Sequence, residues 1–499
     1  MIKSNGGIIG PDNVTTGGSF GSASGVFKLG EVTNLIKDSK WPTAGPGGFQ
    51  VANSVRYNDG DSPRMYKTPS SAGNRKKFTI SAWVKRGSNL GANSYIFDAR
   101  VDGNDNAPFQ FNTSDQIFFR TKVGGSSYYI QTNRVFRDVS AFYHLAIVYD
   151  NTLGTAGDRI QLWVNGVRET SFAGSSMPPQ NTDTTVNNAN VVQTVGSEGG
   201  GGSYFDGYIS EFVLLDGTAA SPVDTLGSFN SQTGIWVPKD VSGLTFGTNG
   251  FYLDFKDSAN LGNDANGGTD LTEVNLTSLD QSTDTCSTNF STMNPLRQPT
   301  ANPATFSNGN LTVQTNTSSG YYGGRSTIGV SSGKWYFEAK LVSYSASTGM
   351  IGIQNVESYT PEMFSSGQGI FAGYSSTGLS YDTTGVIGVN NNFTSYGNTY
   401  AAGDIISVAL NLEDNEVKFY KNGTVQNSGT AISITAGLTY VFAVDDGSSS
   451  RYCTWDCNFG SPSFAISSGN TDGNGFGNFE YAVPTGFFSL NTKNLAGNS

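Results

Sequence analysis

Ser140-Ala-Phe-Tyr-His-Leu-Ala-Ile-Val-Tyr-Asp150, a loop containing Gly154 and Gly157, then Asp158-Arg-Ile-Gln-Leu-Trp-Val-Asn-Gly-Val-Arg-Glu-Thr170 is the stretch that decides the fold. Phe142 to Tyr149 is β-branched and aromatic, too short for a helix, and bounded by turn formers. It reads as a strand buried on both faces. Ile160, Leu162 and Val164 alternate with Gln161, Trp163 and Asn165, the period of a strand with one face on a core. Asn165-Gly166 is the strongest short hairpin signal, because both residues accept the positive φ of a type I′ turn. The same grammar returns downstream: Asp404 to Leu412 runs out, Glu413-Asp414-Asn415 turns, Glu416 to Tyr420 runs back, and Asn422-Gly423 turns again. Two β units built on similar hairpins follow.

Length and composition bound the rest. The 499 residues hold two or three domains of ~100–200 residues each. With 64 glycines, 12% aromatics and 14% charged residues, the chain is all-β and rich in turns, not disordered. Net charge is −11 and no basic run exceeds Arg75-Lys76-Lys77, so nucleic acid is excluded as a partner. No window reaches the ~18 apolar residues of a membrane span, so no membrane insertion is expected. Met1-Ile-Lys-Ser-Asn-Gly-Gly7 lacks the apolar core of a signal peptide, and synthesis in a cytoplasm is expected. Three cysteines, Cys286, Cys453 and Cys457, form no disulfide framework. Cys453-x-x-x-Cys457 lacks the second ligand pair of a zinc site.

Along the chain, residues 1–48 make an extended arm. Val26, Leu29 and Val32 or Ile36 give it one apolar face of a short helix, ended before Pro42. Such an arm has no core of its own and is expected to anchor the protein to a partner chain. Residues 49–296 form a first antiparallel sandwich, with strands at Ser54–Asn58, Phe78–Lys85, Tyr95–Ala99, Gln116–Thr121, Tyr128–Gln131, Phe142–Tyr149, Arg159–Val164, Val191–Gly196, Tyr208–Leu215 and Gly250–Phe255. Ser221–Phe229 holds a short helix, and Asp257–Pro295 is a polar excursion packed on the sandwich. Pro299 and Pro303 mark a linker at 297–303. Residues 304–499 form a second sandwich, closed by a docking segment from Gly486 to Leu495.

Phe78-Thr-Ile-Ser-Ala-Trp-Val-Lys85, the 142–150 and 160–166 segments, and Phe205-Asp-Gly-Tyr-Ile-Ser-Glu-Phe212 resemble the concanavalin A-like lectin/glucanase superfamily in its laminin-G-like form, a jelly-roll. Gly333-Lys-Trp-Tyr-Phe-Glu338, Gly403-Asp-Ile-Ile-Ser-Val-Ala-Leu410 and Phe419-Tyr-Lys-Asn-Gly423 resemble a SPRY domain. Taken in order, Gly6 to Pro11, Ala72 to Lys76, Arg137 to His144, Gly234 to Lys239, Gly247 to Phe255, Thr288 to Leu296 and Gly486 to Thr492 resemble virion proteins of tailed bacteriophages. The resemblance spans nearly the whole chain. It implies a structural or host-recognition protein of the particle: a fibre, spike or appendage component at the virion surface.

The superfamily includes glucanases, so catalysis needs a test. Its retaining members carry Glu-x-Asp-x-x-Glu or Glu-x-Asp-x-Glu, which sets two carboxylates on one face at the ~5–5.5 Å that a retaining mechanism needs. None of the 11 glutamates fits either pattern. His144, the single histidine, sits mid-strand as a packed residue, and no nucleophile elbow accompanies it. No enzyme is expected. Laminin-G-like domains often bind calcium at a sandwich rim, and Asp98, Asp102 and Asp105 offer hard oxygen ligands in a Gly/Asn loop, with Asp254, Asp257 and Asp264 as a second candidate. Calcium is therefore the candidate cofactor. Gly196 to Ser203 lacks the Lys-Ser/Thr ending of a phosphate loop. Tyr128, Tyr129, Tyr321, Tyr322, Tyr374, Tyr381 and Tyr396 are placed to stack on sugar rings or to pin loops.

The expected function is display of lectin-like domains for binding a host cell-surface glycan or receptor. The protein would join other virion subunits through its arm and form a homo-oligomer, with a trimer favoured. A decoration or cement protein and a polysaccharide depolymerase are the alternatives.

Overall fold

A computed structural model describes residues 9–10, 25–26, 49–231, 233–299, 303–315, 323–345, 349–358, 371–447 and 452–498. Of the expected arm helix only Val26 falls among them, and it lies in a two-residue strand; the rest of that helix is outside the described residues. By their contacts the described residues form two β units, 288–498 and 49–287, the latter with a two-residue strand pair, Ile9–Gly10 on Gly25–Val26.

The first unit is a sandwich of two eight-stranded sheets. One sheet runs Val167–Arg168, Ile160–Val164, Tyr143–Asp150, Lys77–Arg86, Gly207–Asp216, Ser54–Tyr57, Gln281–Ser282, with Phe251–Leu253 also on Gly207–Asp216. The other runs Phe172–Ser176, Ser126–Val135, Gln116–Val123, Phe109–Phe111, Ser94–Arg100, Val192–Val195, Arg64–Lys67, Thr272–Val274. The Asn-Gly reading holds: Val164 faces Val167, with φ of +49° at Asn165 and +74° at Gly166. A Cβ on Gly166 would also sit 2.3 Å from the Trp236 ring. Alternate residues of both sheets meet in one core, among them Phe78, Ile80, Leu145, Ile147, Leu162, Phe97, Phe109 and Phe119. The polar stretch after Asp257 does more than pack outside. Thr272–Val274 and Gln281–Ser282 add edge strands to the two sheets. Lys85 Nζ meets Asp284 at 2.8 Å, both side chains 1% exposed, and so pins that edge.

Strand Tyr143–Asp150 is buried on both faces because the outer face of its sheet is covered. Residues 217–250, with a short helix at Pro222–Thr225 and a hairpin of Gly227–Phe229 on Trp236–Pro238, lay Ala220, Leu226, Val241 and Phe246 on Ala146, Val213 and Leu215. His144 is sealed beneath them, between Trp83 and Trp236 at 4.9 and 5.6 Å. Its Nε2 lies 2.9 Å from Ser81 Oγ. Burial pushes its pKa down to about 3, so the ring stays neutral. Nearby, a bulge between Ser210 and Val213 leaves Glu211 at a φ of +50°. Tyr252 Oη donates to its carboxylate at 2.6 Å, and burial pushes the group up to about 7. The cavity beside Ser81, His144 and Glu211 is about 10 Å³, no more than one water needs.

Among its described residues the second unit has a nine-stranded and a six-stranded sheet. The larger runs Thr305–Ser307, Thr312–Gln314, Cys453–Asn458, Lys334–Tyr344, Ile405–Asn411, Glu416–Lys421, Thr424–Val425. Ile432–Ser433 also joins Glu416–Lys421, and Phe488–Ser489 pairs in parallel with Lys334–Tyr344. The smaller runs Gly324–Arg325, Tyr440–Asp446, Gly349–Asn355, Gly378–Asp382, Val386–Val389, Asn392–Ser395. Trp335, Phe337, Ile351, Ile353, Val408, Phe442 and Trp455 fill the space between. Cys453 and Cys457 are buried free thiols in this unit. Glu338, buried, accepts from the backbone N–H of Glu480 and Tyr481, both at 3.0 Å, and so ties the Gly- and Asn-rich loop at 467–482 to the sheet.

The division between the units falls at Ser287/Thr288, ahead of the Pro-flanked 297–303 stretch. Residues 289–294 are stitched into the second unit: Phe290 bridges Asn491, Met293 bridges Ser326, and Thr327 N–H donates to Thr292 O at 2.7 Å.

Two expectations follow. A fragment of residues 288–499 should melt cooperatively, whereas one of 304–499 should melt lower or stay unfolded. The shorter fragment loses Phe290 and Met293, which are 2% and 0% exposed, and each vacated core site costs about 2–5 kcal/mol. Circular dichroism melts compare them; equal melting would overturn the boundary. The second concerns pH. Folded Glu211 keeps its proton up to about 7, above its ordinary 4.5, while the unfolded chain has released it. Its stabilising contribution is full below the ordinary value and is lost as pH rises through about 7, an effect of order 3 kcal/mol. Asp206, pushed up to about 6 by burial, acts in the same direction. Urea denaturation across this range should show stability falling with pH, and Glu211→Gln should flatten the slope.

Candidate functional site

The second sheet of the first unit puts Phe97, Ala99, Phe109, Phe111, Ile117, Phe119 and Ile130 into the core. Because side chains alternate along strands, the residues between them fall on the opposite face. Cross-strand pairing lines them up: Tyr95 opposite Gln110, Gln110 opposite Phe118, Phe118 opposite Gln131, Gln131 opposite Gly174. This row crosses five strands, four spacings of ~4.8 Å, or roughly 19 Å. Beside it runs a second row, Arg120 opposite Tyr129 opposite Ser176.

The face has the parts of a saccharide platform. Phe118 and Tyr129 are half-buried, their rings 5.7 Å apart and tilted by 36°. The Tyr129 ring rests over Gly174, where a Cβ would come within 3.1 Å of it. Arg120 stands 5.8 Å from the Phe118 ring and donates to Asn106 Oδ1 at 2.7 Å. Gln131 Nε2 donates to Gln116 Oε1 at 2.6 Å. Three buried polar atoms here, Gln110 Oε1, Arg120 Nε and Asp98 Oδ1, have no hydrogen-bond partner among the described residues. Most buried polar groups are paired, and one left unpaired costs about 1–3 kcal/mol. Aromatic rings with flanking amides and a guanidinium offer a flat apolar surface plus donors and acceptors.

The calcium candidates do not converge. Asp98 lies in strand Ser94–Arg100 on the same face, buried, with Arg100 Nε at 2.7 Å and Gly199 N–H at 3.0 Å on one oxygen. Arg100 also holds Glu198 at 3.0 Å, so one guanidinium occupies both carboxylates. Burial raises the Asp98 pKa, and Arg100 opposes it. Asp102 instead accepts from Asn104 and Asp105 N–H at 2.6 and 3.0 Å, closing its own turn, and Asp105 accepts from Gly124 N–H at 2.8 Å. In the second set, Asp254 pairs with Lys256 at 2.9 Å, Asp257 accepts from Ala259 N–H, and Asp264 accepts from Tyr252 N–H. Among the described residues no group of three His, Cys, Asp or Glu side chains is placed to hold a metal ion.

Of the tyrosines proposed for stacking, Tyr129 is on the platform. Tyr128, opposite Thr121, points to the other side with Ile130. Tyr381 is wholly buried, with Tyr396 and Phe419 against it at 5.5 and 5.4 Å. Tyr374 packs edge-on against Phe371. Tyr321 and Tyr322 lie outside the described residues. Sequence reading missed Gln110, Phe118, Arg120 and Gln131. The usable signal was the period-two register of Gln116-Ile-Phe-Phe-Arg-Thr121, which puts Phe118 and Arg120 on the face opposite Phe119. His144 lacks the acid of a catalytic triad: its Nδ1 has no partner among the described residues.

No curated protein matches this chain. Among solved structures, the SPRY domain of human HERC1 aligns at 18% identity and a TM-score of 0.26, covering 33% of this chain and 96% of that one. The native heptameric SAP-like pentraxin from Limulus polyphemus aligns at 16% identity and a TM-score of 0.27, covering 38% and 94%. Residues 60–222 match the laminin-G-type family model of the concanavalin A-like lectin/glucanases superfamily, and residues 334–454 match the SPRY domain.

Proposed function

We propose that this is a non-enzymatic binding protein that holds a host-surface glycan on the Tyr95–Gly174 face of its first sandwich. The observation that carries the reading is that face: half-buried Phe118, Arg120, Tyr129 and Gln131 beside buried Gln110, with buried polar atoms lacking hydrogen-bond partners among the described residues. The match of residues 60–222 to a lectin-type superfamily supports it. Against turnover stand the sealed His144 and the Asp98–Glu198 pair, both of whose carboxylates are engaged by Arg100. An acid held by a guanidinium is not free to protonate a leaving group.

The finer reading is a tailed-bacteriophage virion protein, a fibre, spike or appendage component, with residues 1–48 joining other virion subunits. It rests on the order of the sequence segments that resemble such proteins. A homotrimer would compensate for weak single sites, because linked sites raise avidity by ~10²–10⁴ without new contacts. A cement or decoration role is the second reading. It is favoured by the edge strand Asn392–Ser395, exposed along its length with Phe393 46% exposed, since open edges invite pairing with another chain.

Multimeric protein should compete with particles for adsorption to host cells. Tyr129→Ala or Arg120→Ala should weaken that competition about tenfold, a loss of about 1.4 kcal/mol, and host polysaccharide should gain no reducing ends. New reducing ends would move the assignment to a depolymerase. Failure to compete, with the protein lodged between capsid or tail subunits, would favour cement. Deleting residues 1–40 should leave both sandwiches folded but abolish incorporation into particles; normal incorporation would sink the anchor.

A further inference from the structure

The second unit carries a cleft of its own, about 340 Å³, lined by Tyr344, Thr383, Thr384, Thr399, Tyr400, Ala401, Asp404 and Lys421. That volume is within the range of small-ligand sites, ~300–1,000 Å³. Its polar groups are held in place and only partly used. Asp404 Oδ2 accepts from Ala401 N–H at 2.8 Å and faces Lys421 Nζ at 3.2 Å; Oδ1 accepts from Asn422 Nδ2 at 2.6 Å. A carboxylate offers about four acceptor sites, so one remains on Oδ1. Lys421 Nζ gives one proton to Thr399 O at 2.8 Å and one to Asp404. An ammonium has three donors, so one remains. The two side chains are 20% and 25% exposed, within reach of a ligand.

A fixed acceptor and a fixed donor therefore stand side by side. Each hydroxyl of a sugar both donates and accepts, and a vicinal pair fits this arrangement: one hydroxyl donates to Asp404 while its neighbour accepts from Lys421. The ion pair leaves these two groups without net charge, which disfavours both phosphates and cations as ligands. Tyr344 is half-buried and supplies a ring for the apolar face of a pyranose. Thr399 is exposed and adds a hydroxyl. Thr383 is 4% exposed, and its Oγ1 has no hydrogen-bond partner among the described residues. We propose that this cleft is a second carbohydrate site, taking a neutral saccharide of one or two rings through a vicinal diol. It is separate from the face on the first sandwich and does not depend on that reading.

The test is saturation-transfer NMR on the full chain with the methyl glycosides of glucose, galactose, mannose, N-acetylglucosamine and rhamnose, and with maltose. At least one should receive saturation. Lys421→Met removes the free donor but keeps the stem, and Tyr344→Ala removes the ring. Each should weaken that sugar about tenfold or more, the scale of a hydrogen bond to a charged group. Thr399→Trp, at an exposed position, should block the cleft while leaving every internal contact in place, and its unchanged melting temperature guards against misfolding. Asp404 is left intact because it also closes the turn at Ala401. No saturation of any sugar in the panel would overturn the proposal. So would a panel in which every sugar that binds wild type binds all three variants alike.

Discussion

Everything in the first unit depends on how its four sheet faces are disposed of. Two inner faces make the core. A third, outside the strands Lys77–Arg86, Tyr143–Asp150 and Gly207–Asp216, is closed by residues 217–250. Closing it sequesters the only histidine and Glu211 in a space too small for a substrate. The fourth face keeps half-buried Phe118, Arg120, Tyr129 and Gln131 at the surface, while Tyr95, Asp98 and Gln110 on the same face are buried. Covering one outer face and leaving part of the other open is what separates the part of the sandwich that stabilises from the part available for binding. A sheet covered on both sides would read as continuous apolar runs; this one alternates.

The second unit solves the same problem differently. Its larger sheet is held against the loop at 467–482 by Glu338, which takes backbone N–H groups that would otherwise be left without partners. Its smaller sheet is buttressed by Arg325, 2.6 Å from Asp445, with both side chains 1% exposed. Breaking such a pair from one side leaves an uncompensated buried charge, costing about 3–5 kcal/mol. Polar residues therefore help position loops in this unit, alongside Phe479, which packs edge-on against Tyr336 at 5.1 Å; above the first sheet of the other unit apolar side chains do most of this.

Strongly periodic strands and Asn-Gly turns were legible in the sequence, because their signals are local. Val164, Asn165, Gly166 and Val167 say what they do without reference to anything distant. The candidate face was not legible, since it is assembled from five strands whose register only the fold supplies. Phe172–Ser176 is Phe-Ala-Gly-Ser-Ser and Phe109–Phe111 is three residues long, so neither announces itself. Tyr129 was visible as an aromatic, but its neighbours Phe118 and Arg120 come from the next strand. Asp98, Asp102 and Asp105 illustrate the converse. They are close in sequence, yet the first lies in a strand while the other two close a turn, and their carboxylates serve different partners. Tyr381 looked like a loop residue because strand Gly378–Asp382 holds a glycine, a serine and an aspartate.

The pairing of Ser54–Tyr57 with Gln281–Ser282 has a kinetic consequence. Ser54 Oγ bonds to Asp284 O across a separation of 230 residues, and Lys85 must find Asp284 across 199. Closing loops of that length is entropically expensive before any contact rewards it, and folding slows as contacts become less local. The early strands therefore emerge from the ribosome long before their edge partner exists. Until residues 281–284 arrive, Ser54–Tyr57 lacks one neighbour and Lys85 lacks its counter-charge. During synthesis the first sheet waits with that edge open until the short polar strand is made.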